Sequence, residues 1–362
     1  MKKTIAAIII VGALLAGCAI TGPGPTARAA EGAAAATTTA APPIEVPTAT
    51  PVLVIVLVLV VLGATAVALV CWQWSSELIK SPRADEPSSP DAYGLPFTQV
   101  LFPSRDGLAL HGWFIPAPAV IGFSLEGQEW ATGSKGTIVF GHGRFGSKDP
   151  DLKYVPWLRE AGYNCFLFDF RGHGRSEGDY TSFGYHERKD LLGAIDLLES
   201  KGIHRVGVLG FSLGAVVGIG TAAQCPAIAA VVADGAFVKL RTALARGAEE
   251  RGVPRWLVRA LGPLILWLAG ERVGGDLEQS DPMRWVDKIA PRALFLIHGE
   301  EDPYVSVEDV RRLYEEAGEP KELWIAPGAG HRRVDQVYPD EYRDRVLGFF
   351  GRYLSVEVEG DA

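Results

Sequence analysis

The chain has 362 residues, of which 48% are hydrophobic and 22% charged, and its formal net charge is −8. This length accommodates one α/β domain of about 250 residues together with an N-terminal targeting region. No long cluster of lysine and arginine is present, which argues against a nucleic-acid-binding protein. The four cysteines have unrelated settings, so the sequence indicates neither a zinc site nor a disulfide framework.

The N-terminus has the pattern of a targeting segment. Two lysines precede a short apolar run that ends in Leu15-Ala16-Gly17-Cys18. A charged start followed by a short apolar core is typical of a secretory signal, and the end of this run resembles the lipobox of bacterial lipoproteins. We therefore expect residues 1–18 to be a signal-like segment, with Cys18 as a candidate lipidation site. An ordinary uncleaved apolar segment is the alternative interpretation.

A second apolar run follows a polar stretch. Residues 19–50 are rich in Ala, Thr, Pro and Gly, which predicts a disordered linker. Residues 52–70 carry no charge, and this length matches the roughly 20 residues needed to cross the hydrocarbon core of a bilayer. Trp72 and Trp74 follow at the place of an aromatic belt. We predict a transmembrane helix over residues 51–74.

The two apolar runs together predict which side of the membrane the rest of the chain occupies. If both enter the membrane, the second returns the chain to the cytoplasmic side. Lys80 and Arg83 directly follow the second run, in agreement with this placement. If only the second run is used, as a signal anchor, the C-terminal part is exported. We favour the cytoplasmic side.

After a linker over residues 75–94, the chain shows the pattern of one α/β domain. Short apolar runs alternate with amphipathic helical stretches over residues 95–355, as in a mostly parallel sheet with helices on both faces. Asp106-Gly107 between the first two runs favours a hairpin. Residues 240–290 break the rhythm and predict a small helical cap, and 356–362 form a tail. The eight predicted strands are 97–102, 108–114, 137–140, 165–168, 206–209, 229–233, 293–297 and 323–325.

A candidate nucleophile follows the predicted strand at 206–209. The strand leads into Gly210-Phe211-Ser212-Leu213-Gly214, and residues compatible with a helix come next. This is the pattern of a nucleophile elbow, in which a sharp turn exposes the serine. Gly210 and Gly214 would let strand and helix approach closely. We predict that Ser212 is a nucleophile, the alternative being a plain glycine turn.

A serine hydroxyl needs a general base, and the base needs an orienting acid. His331 lies in a glycine-rich loop after the last predicted strand, and Asp302 follows the strand before it. The chain order is then serine, acid, histidine, as in enzymes that carry a nucleophile elbow. We therefore predict that His331 is the base and Asp302 the acid, with Glu300, Glu301 and Asp234 as rivals for the acid.

These motifs resemble those of the α/β-hydrolase superfamily. His298–Asp302 reads H-G-x-x-D, Gly328–His331 reads G-x-G-H, and Asp169–Gly178 is similar to a structural loop of that superfamily. The layout is most similar to membrane-anchored bacterial serine hydrolases grouped with serine aminopeptidases and dipeptidyl-peptidase-like domains. The resemblance implies an α/β-hydrolase fold with a mostly parallel eight-stranded sheet, flanking helices and a small helical cap.

The resemblance also implies an oxyanion hole and a reaction class. The two donors would be the backbone N–H groups of Leu213 and Arg144; the Arg144 side chain would contact a substrate anion or be solvated. The implied reaction is hydrolysis of a small-molecule ester or peptide without a cofactor, and we expect an esterase. A peptidase is the alternative, with Glu249 and Glu250 as candidate anchors for a free amino terminus; a non-catalytic binding protein is the third. The oligomeric state stays open.

Overall fold

The structure is a computed structural model that describes residues 49–81, 83, 88–118, 130 and 134–354. The chain divides into two units, Met1–Val58 and Leu59–Ala362. In the first unit only the start of a helix is described. The predicted signal-like segment with Cys18, nearly all of the predicted linker and the C-terminal tail lie outside the described residues.

The first described element is a long apolar helix, α1 (Ala49–Ile79). Its segment Pro51–Ile79 is long and apolar enough to cross a membrane, with a mean hydropathy of 3.2 over its most apolar 18 residues. The side chains of residues 52–69 are exposed. At about 1.5 Å of rise per residue, these eighteen residues span roughly 27 Å, close to the thickness of a bilayer's hydrocarbon core.

The last turns of α1 pack against the rest of the second unit. Cys71, Ser75 and Ile79 are buried and recur every four residues, which places them on one face of the helix. The carbonyl of Ile79 accepts a hydrogen bond from the backbone N–H of Thr181 (2.8 Å). The end of α1 is therefore fixed to the domain that follows.

That domain is built on one sheet with the order β1-β2-β4-β3-β5-β6-β7-β8. The first two strands are antiparallel and β2 pairs antiparallel with β4, whereas the remaining pairs are parallel. The strands are β1 (Thr98–Pro103), β2 (Ala109–Ile115), β3 (Thr137–Gly141), β4 (Asn164–Phe168), β5 (Val206–Phe211), β6 (Ile228–Asp234), β7 (Ala293–Gly299) and β8 (Lys321–Ala326). All eight predicted strands are present within one or two residues, so the predicted fold class is confirmed.

Helices cover both faces of this sheet and bury two hydrophobic clusters. The helices are α2 (Val155–Glu160), α3 (Glu187–Ser200), α4 (Leu213–Ala222), α5 (Leu240–Glu250), α6 (Arg255–Val273), α7 (Val307–Glu316), α8 (Val334–Val337) and α9 (Pro339–Tyr353). Side chains of α3 and α4 belong to one cluster, and those of α2 and α9 to the other. The central strands β3, β4 and β5 are buried along their whole length, as expected for parallel strands covered on both faces.

The predicted helical cap corresponds to α5 and α6, which are inserted between β6 and β7. On α6, Leu266, Ala269 and Val273 are buried in the domain core. Gly274 ends this helix in the left-handed conformation (φ 73°) that glycine adopts at little cost. The cap is thus anchored through one face of α6.

Candidate active site

A strained turn presents Ser212 between β5 and α4. Its backbone has φ 52° and ψ −104°, a conformation that side-chain-bearing residues rarely adopt and that surrounding contacts must hold. The backbone N–H of Ser212 donates to the carbonyl of Asp234 (2.8 Å). A Cβ on Gly214 would overlap the carbonyl of Gly141, and one on Gly210 would overlap that of Gly214. The tight packing of strand against helix therefore requires glycine at both positions.

The structure brings Ser212, His331 and Asp302 together from three separate loops. Nε2 of His331 lies 3.0 Å from Oγ of Ser212, and Nδ1 lies 2.6 Å from Oδ2 of Asp302. His331 is partly accessible, with 20% of its side chain exposed, whereas the Asp302 side chain is fully buried. This chain of contacts links the hydroxyl to the carboxylate through both ring nitrogens.

The carboxylate of Asp302 is held in a fixed orientation. Its Oδ1 accepts hydrogen bonds from the backbone N–H groups of Tyr304 (2.8 Å) and Val305 (3.1 Å). Burial opposes its charge, but the hydrogen bond and the charge of His331 outweigh burial and hold the pKa of Asp302 below its usual value. An ionised carboxylate fixes the proton of His331 on Nδ1, which leaves Nε2 free to accept the hydroxyl proton.

The rival acids lie elsewhere. Glu300 and Glu301 are exposed, although they flank the same turn as Asp302. Asp234 is buried at the end of β6, where its Oδ2 accepts a hydrogen bond from the hydroxyl of Tyr342 (3.0 Å). Burial raises the pKa of Asp234 to about 6. Of these carboxylates, only Asp302 contacts His331.

The two predicted oxyanion donors belong to chain segments that lie near Ser212. Leu213 is the first residue of α4, where backbone N–H groups have no partner within the helix. The loop after β3 carries Arg144 and is tied to the same helix start, because the N–H of Gly214 donates to the carbonyl of His142 (3.1 Å). A Cβ built on Gly143 would lie 3.8 Å from Cβ of Ser212. Both chain segments therefore lie near the Ser212 side chain.

The side chain of Arg144 has a role that the sequence did not predict. Its Nη2 donates to the backbone carbonyl of Leu78, near the end of α1. The guanidinium lies 4.4 Å from the ring centroid of Phe183 and 4.6 Å from that of Phe145. Burial lowers the pKa of this guanidinium to about 10. The side chain is partly buried and connects the loop after β3 to α1.

Two further neighbours of His331 were not found from the sequence. The ring of Tyr304 lies edge-on to His331, with centroids 5.1 Å apart. Arg332 adopts a left-handed backbone (φ 54°) and pairs with buried Asp151 (2.7 Å). Its guanidinium lies 4.5 Å from the ring of Phe211, next to the elbow. No short motif marks these side chains, since each depends on contacts between distant segments.

The loop at Asp169–Gly178 holds buried and partly buried ion pairs next to the site. Lys148 pairs with Asp169 (2.7 Å), and Arg171 pairs with both Asp190 and Asp106 (2.6 Å each). Each partner compensates a charge that would be costly to bury alone. These pairs fix the loop beside the elbow.

The remaining predicted residues are solvent-facing. Glu249 and Glu250, the candidate peptide anchors, are exposed at the end of α5, and Glu249 lies 3.7 Å from Arg255.

Within the described part of the chain, no group of three or more His, Cys, Asp or Glu side chains is arranged to hold a metal ion.

Several known proteins are similar to this chain over about two thirds to three quarters of its length. YqkD, an uncharacterised protein of Bacillus subtilis, is 34% identical over 64% of this chain and 77% of its own length. YfhR, an uncharacterised protein of Escherichia coli, is 28% identical over 69% of this chain and 79% of its own. A solved esterase of Pyrococcus furiosus is 30% identical, with a TM-score of 0.63 over 76% of this chain and 98% of its own. The sequence model of the alpha/beta hydrolase family matches residues 138–345, and the chain belongs to this family.

Proposed function

We propose that this protein is a membrane-tethered serine hydrolase that cleaves carboxylic esters through an acyl-enzyme. Ser212 is the nucleophile, His331 the general base and Asp302 the orienting acid. The observation that carries the proposal is the contact chain from Oγ of Ser212 through both ring nitrogens of His331 to the buried carboxylate. The likeness to the Pyrococcus furiosus esterase supports ester hydrolysis.

The geometry supports a two-stage reaction. Nε2 of His331 takes the hydroxyl proton while Oγ of Ser212 attacks the ester carbonyl. The N–H groups of Leu213 and Arg144 donate to the resulting oxyanion. When the C–O bond breaks, His331 gives the proton to the departing alcohol, which leaves an acyl group on Ser212. Water, deprotonated by the same histidine, then releases the acid and restores the serine.

The membrane tether is α1. Its exposed apolar residues 52–69 match the thickness of a bilayer's hydrocarbon core, and Trp72 follows at the place of an aromatic belt. Lys80 and Arg83 come next, so we place the catalytic domain on the cytoplasmic side.

Labelling by a fluorophosphonate tests the proposed nucleophile. We expect the full chain in detergent or membranes to be labelled and Ser212→Ala to be unlabelled. Ser200→Ala, a change at an exposed serine near the end of α3, is the matched control and should retain labelling. Labelling that persists in Ser212→Ala would assign the reactive group to another residue, and an unlabelled full chain would favour a non-catalytic binding protein.

A second assay separates esterase from peptidase. We expect p-nitrophenyl esters of short acids to be hydrolysed with a higher kcat/KM than aminoacyl p-nitroanilides. The exposed positions of Glu249 and Glu250 support this order, because a free amino terminus would have no buried acidic anchor there. A preference for the aminoacyl substrates would replace the ester proposal by the peptidase one.

A further inference from the structure

Helix α6 exposes a continuous apolar surface. Trp256, Leu264 and Trp267 are 70%, 38% and 59% exposed, and their spacing of eight and three residues places them on one side of the helix. Ala260 and Pro263 lie between them and are exposed as well. We call these five residues the cap face. Two large aromatic side chains exposed on one helix side are typical of an interaction surface.

The cap face is held outward by the opposite side of the helix. Leu266, Ala269 and Val273 are buried in the core. A rotation of α6 that turned the cap face inward would therefore expose these three residues to solvent. The exposure is therefore a fixed property of the folded domain.

The C-terminal end of α6 contacts α1 directly. The guanidinium of Arg272 lies 3.6 Å from the ring centroid of Trp72, and its Nη2 donates to the carbonyl of the same residue (3.3 Å). Trp72 comes shortly after the exposed apolar stretch of α1. Trp267 precedes Arg272 by five residues, which corresponds to about 7.5 Å along the helix axis. The cap face thus begins close to the point where α1 would leave a bilayer.

The charged residues of α6 also fit a position at the surface of a bilayer. Arg255 and Arg259 lie exposed at its N-terminal end, and Glu271 is the one acidic residue of the helix. Tryptophan and leucine on one side with arginine beside them are typical of helices that lie in the interface between lipid and water, where headgroups are anionic and aromatic rings are enriched.

We propose that the cap face lies in the lipid–water interface of the bilayer that α1 crosses, as a second membrane contact of the protein. This inference rests on the proposed membrane tether. The tryptophan rings enter the headgroup region, while Arg255 and Arg259 face lipid phosphates. With α1 and α6 both in contact with lipid, the catalytic domain is held at two points.

A fluorophore that responds to polarity, attached at Leu264→Cys, tests the proposal. The full chain, with Cys18 and Cys225 replaced by serine to limit labelling, is reconstituted into vesicles of neutral and anionic phospholipids. We expect a blue-shifted emission that nitroxide-bearing acyl chains quench about twofold. The same label at Ser200→Cys should stay unquenched, because Ser200 precedes the amino end of β5 whereas the cap follows the carboxyl end of the parallel strand β6, at the opposite end of the strands. Trp267→Cys provides a second labelled position if Leu264→Cys folds poorly, as judged by fluorophosphonate labelling.

A label at Val58→Cys, within the proposed span, separates this inference from the membrane tether. Quenching at position 58 without quenching at 264 and 267 would overturn the cap-face proposal and leave the tether intact. No quenching at any of these positions would overturn both. A blue shift at 264 without quenching by lipid nitroxide would show that the cap face is covered by protein, such as a second copy of the chain, and would also overturn the proposal.

Discussion

At the scale of single residues, two buried carboxylates, Asp302 and Asp234, are candidates for the catalytic acid. Asp302 contacts Nδ1 of His331, whereas Asp234 binds Tyr342. An amide at position 302 would stabilise the wrong tautomer of His331, so we expect Asp302→Asn to lower kcat for p-nitrophenyl esters by ~10³-fold to ~10⁴-fold. Asp234→Asn is the matched control and should retain most activity. Loss in Asp234→Asn with full activity in Asp302→Asn would reverse the assignment.

Asp234 also predicts how stability depends on pH. Burial raises its pKa to about 6, against the opposing effects of Arg332 and Tyr342. The folded state therefore binds this proton more tightly than the unfolded chain does. The resulting stabilisation is complete below the ordinary carboxyl pKa near 3.8 and is lost as the pH rises through about 6.

We expect this one group to lower the free energy of unfolding by roughly 2 kcal/mol between pH 4 and pH 7. Thermal or urea unfolding in detergent at several pH values measures the slope. Asp234→Asn should make this part of the profile flatter than in the wild-type protein. Parallel profiles for the two proteins would contradict the pKa given to Asp234.

At the scale of elements, the junction between β5 and α4 depends on Gly214. A side chain there would overlap the backbone carbonyl of Gly141, and a backbone group of a central strand has no room to move. We expect Gly214→Ala to yield no labelled, folded protein. Gly262→Ala is the same change in α6, where a Cβ meets nothing within 4 Å; it should raise the unfolding free energy by up to ~1 kcal/mol. Similar melting temperatures for both variants would contradict this account.

Several elements could be predicted because their signals are local. Each strand reads as a short apolar run, and the elbow is written in five consecutive residues, so both could be located without the fold. The choice among Glu300, Glu301 and Asp302 could not be derived in that way, because it depends on which side chain of one turn faces inward. The contact of Arg144 with Leu78 joins segments 66 residues apart and leaves no local pattern.

At the scale of the whole molecule, the placement of the catalytic domain can be tested directly. Lys80 and Arg83 follow the proposed span, and Arg83 donates hydrogen bonds to the carbonyls of Gly174, Ser176 and Gly178. We expect a C-terminal fusion to green fluorescent protein to fluoresce in a bacterial host, and a fusion to alkaline phosphatase to be inactive, since the positive residues favour the cytoplasmic side. An active phosphatase fusion would place the domain outside and leave the proposed triad unaffected.

The contact between α1 and Arg144 limits how far the protein can be treated as separate modules. The carbonyl of Leu78 that Arg144 binds is part of the backbone, but its position depends on the packing of Cys71, Ser75 and Ile79. A chimera that exchanges residues 49–70 for an unrelated spanning helix should keep its ester turnover. One that exchanges residues 49–79 should lose up to ~10²-fold in kcat, because the loop that carries the Arg144 N–H would shift. The membrane-spanning part of α1 can then be replaced by another helix, whereas its last turns are needed for full activity.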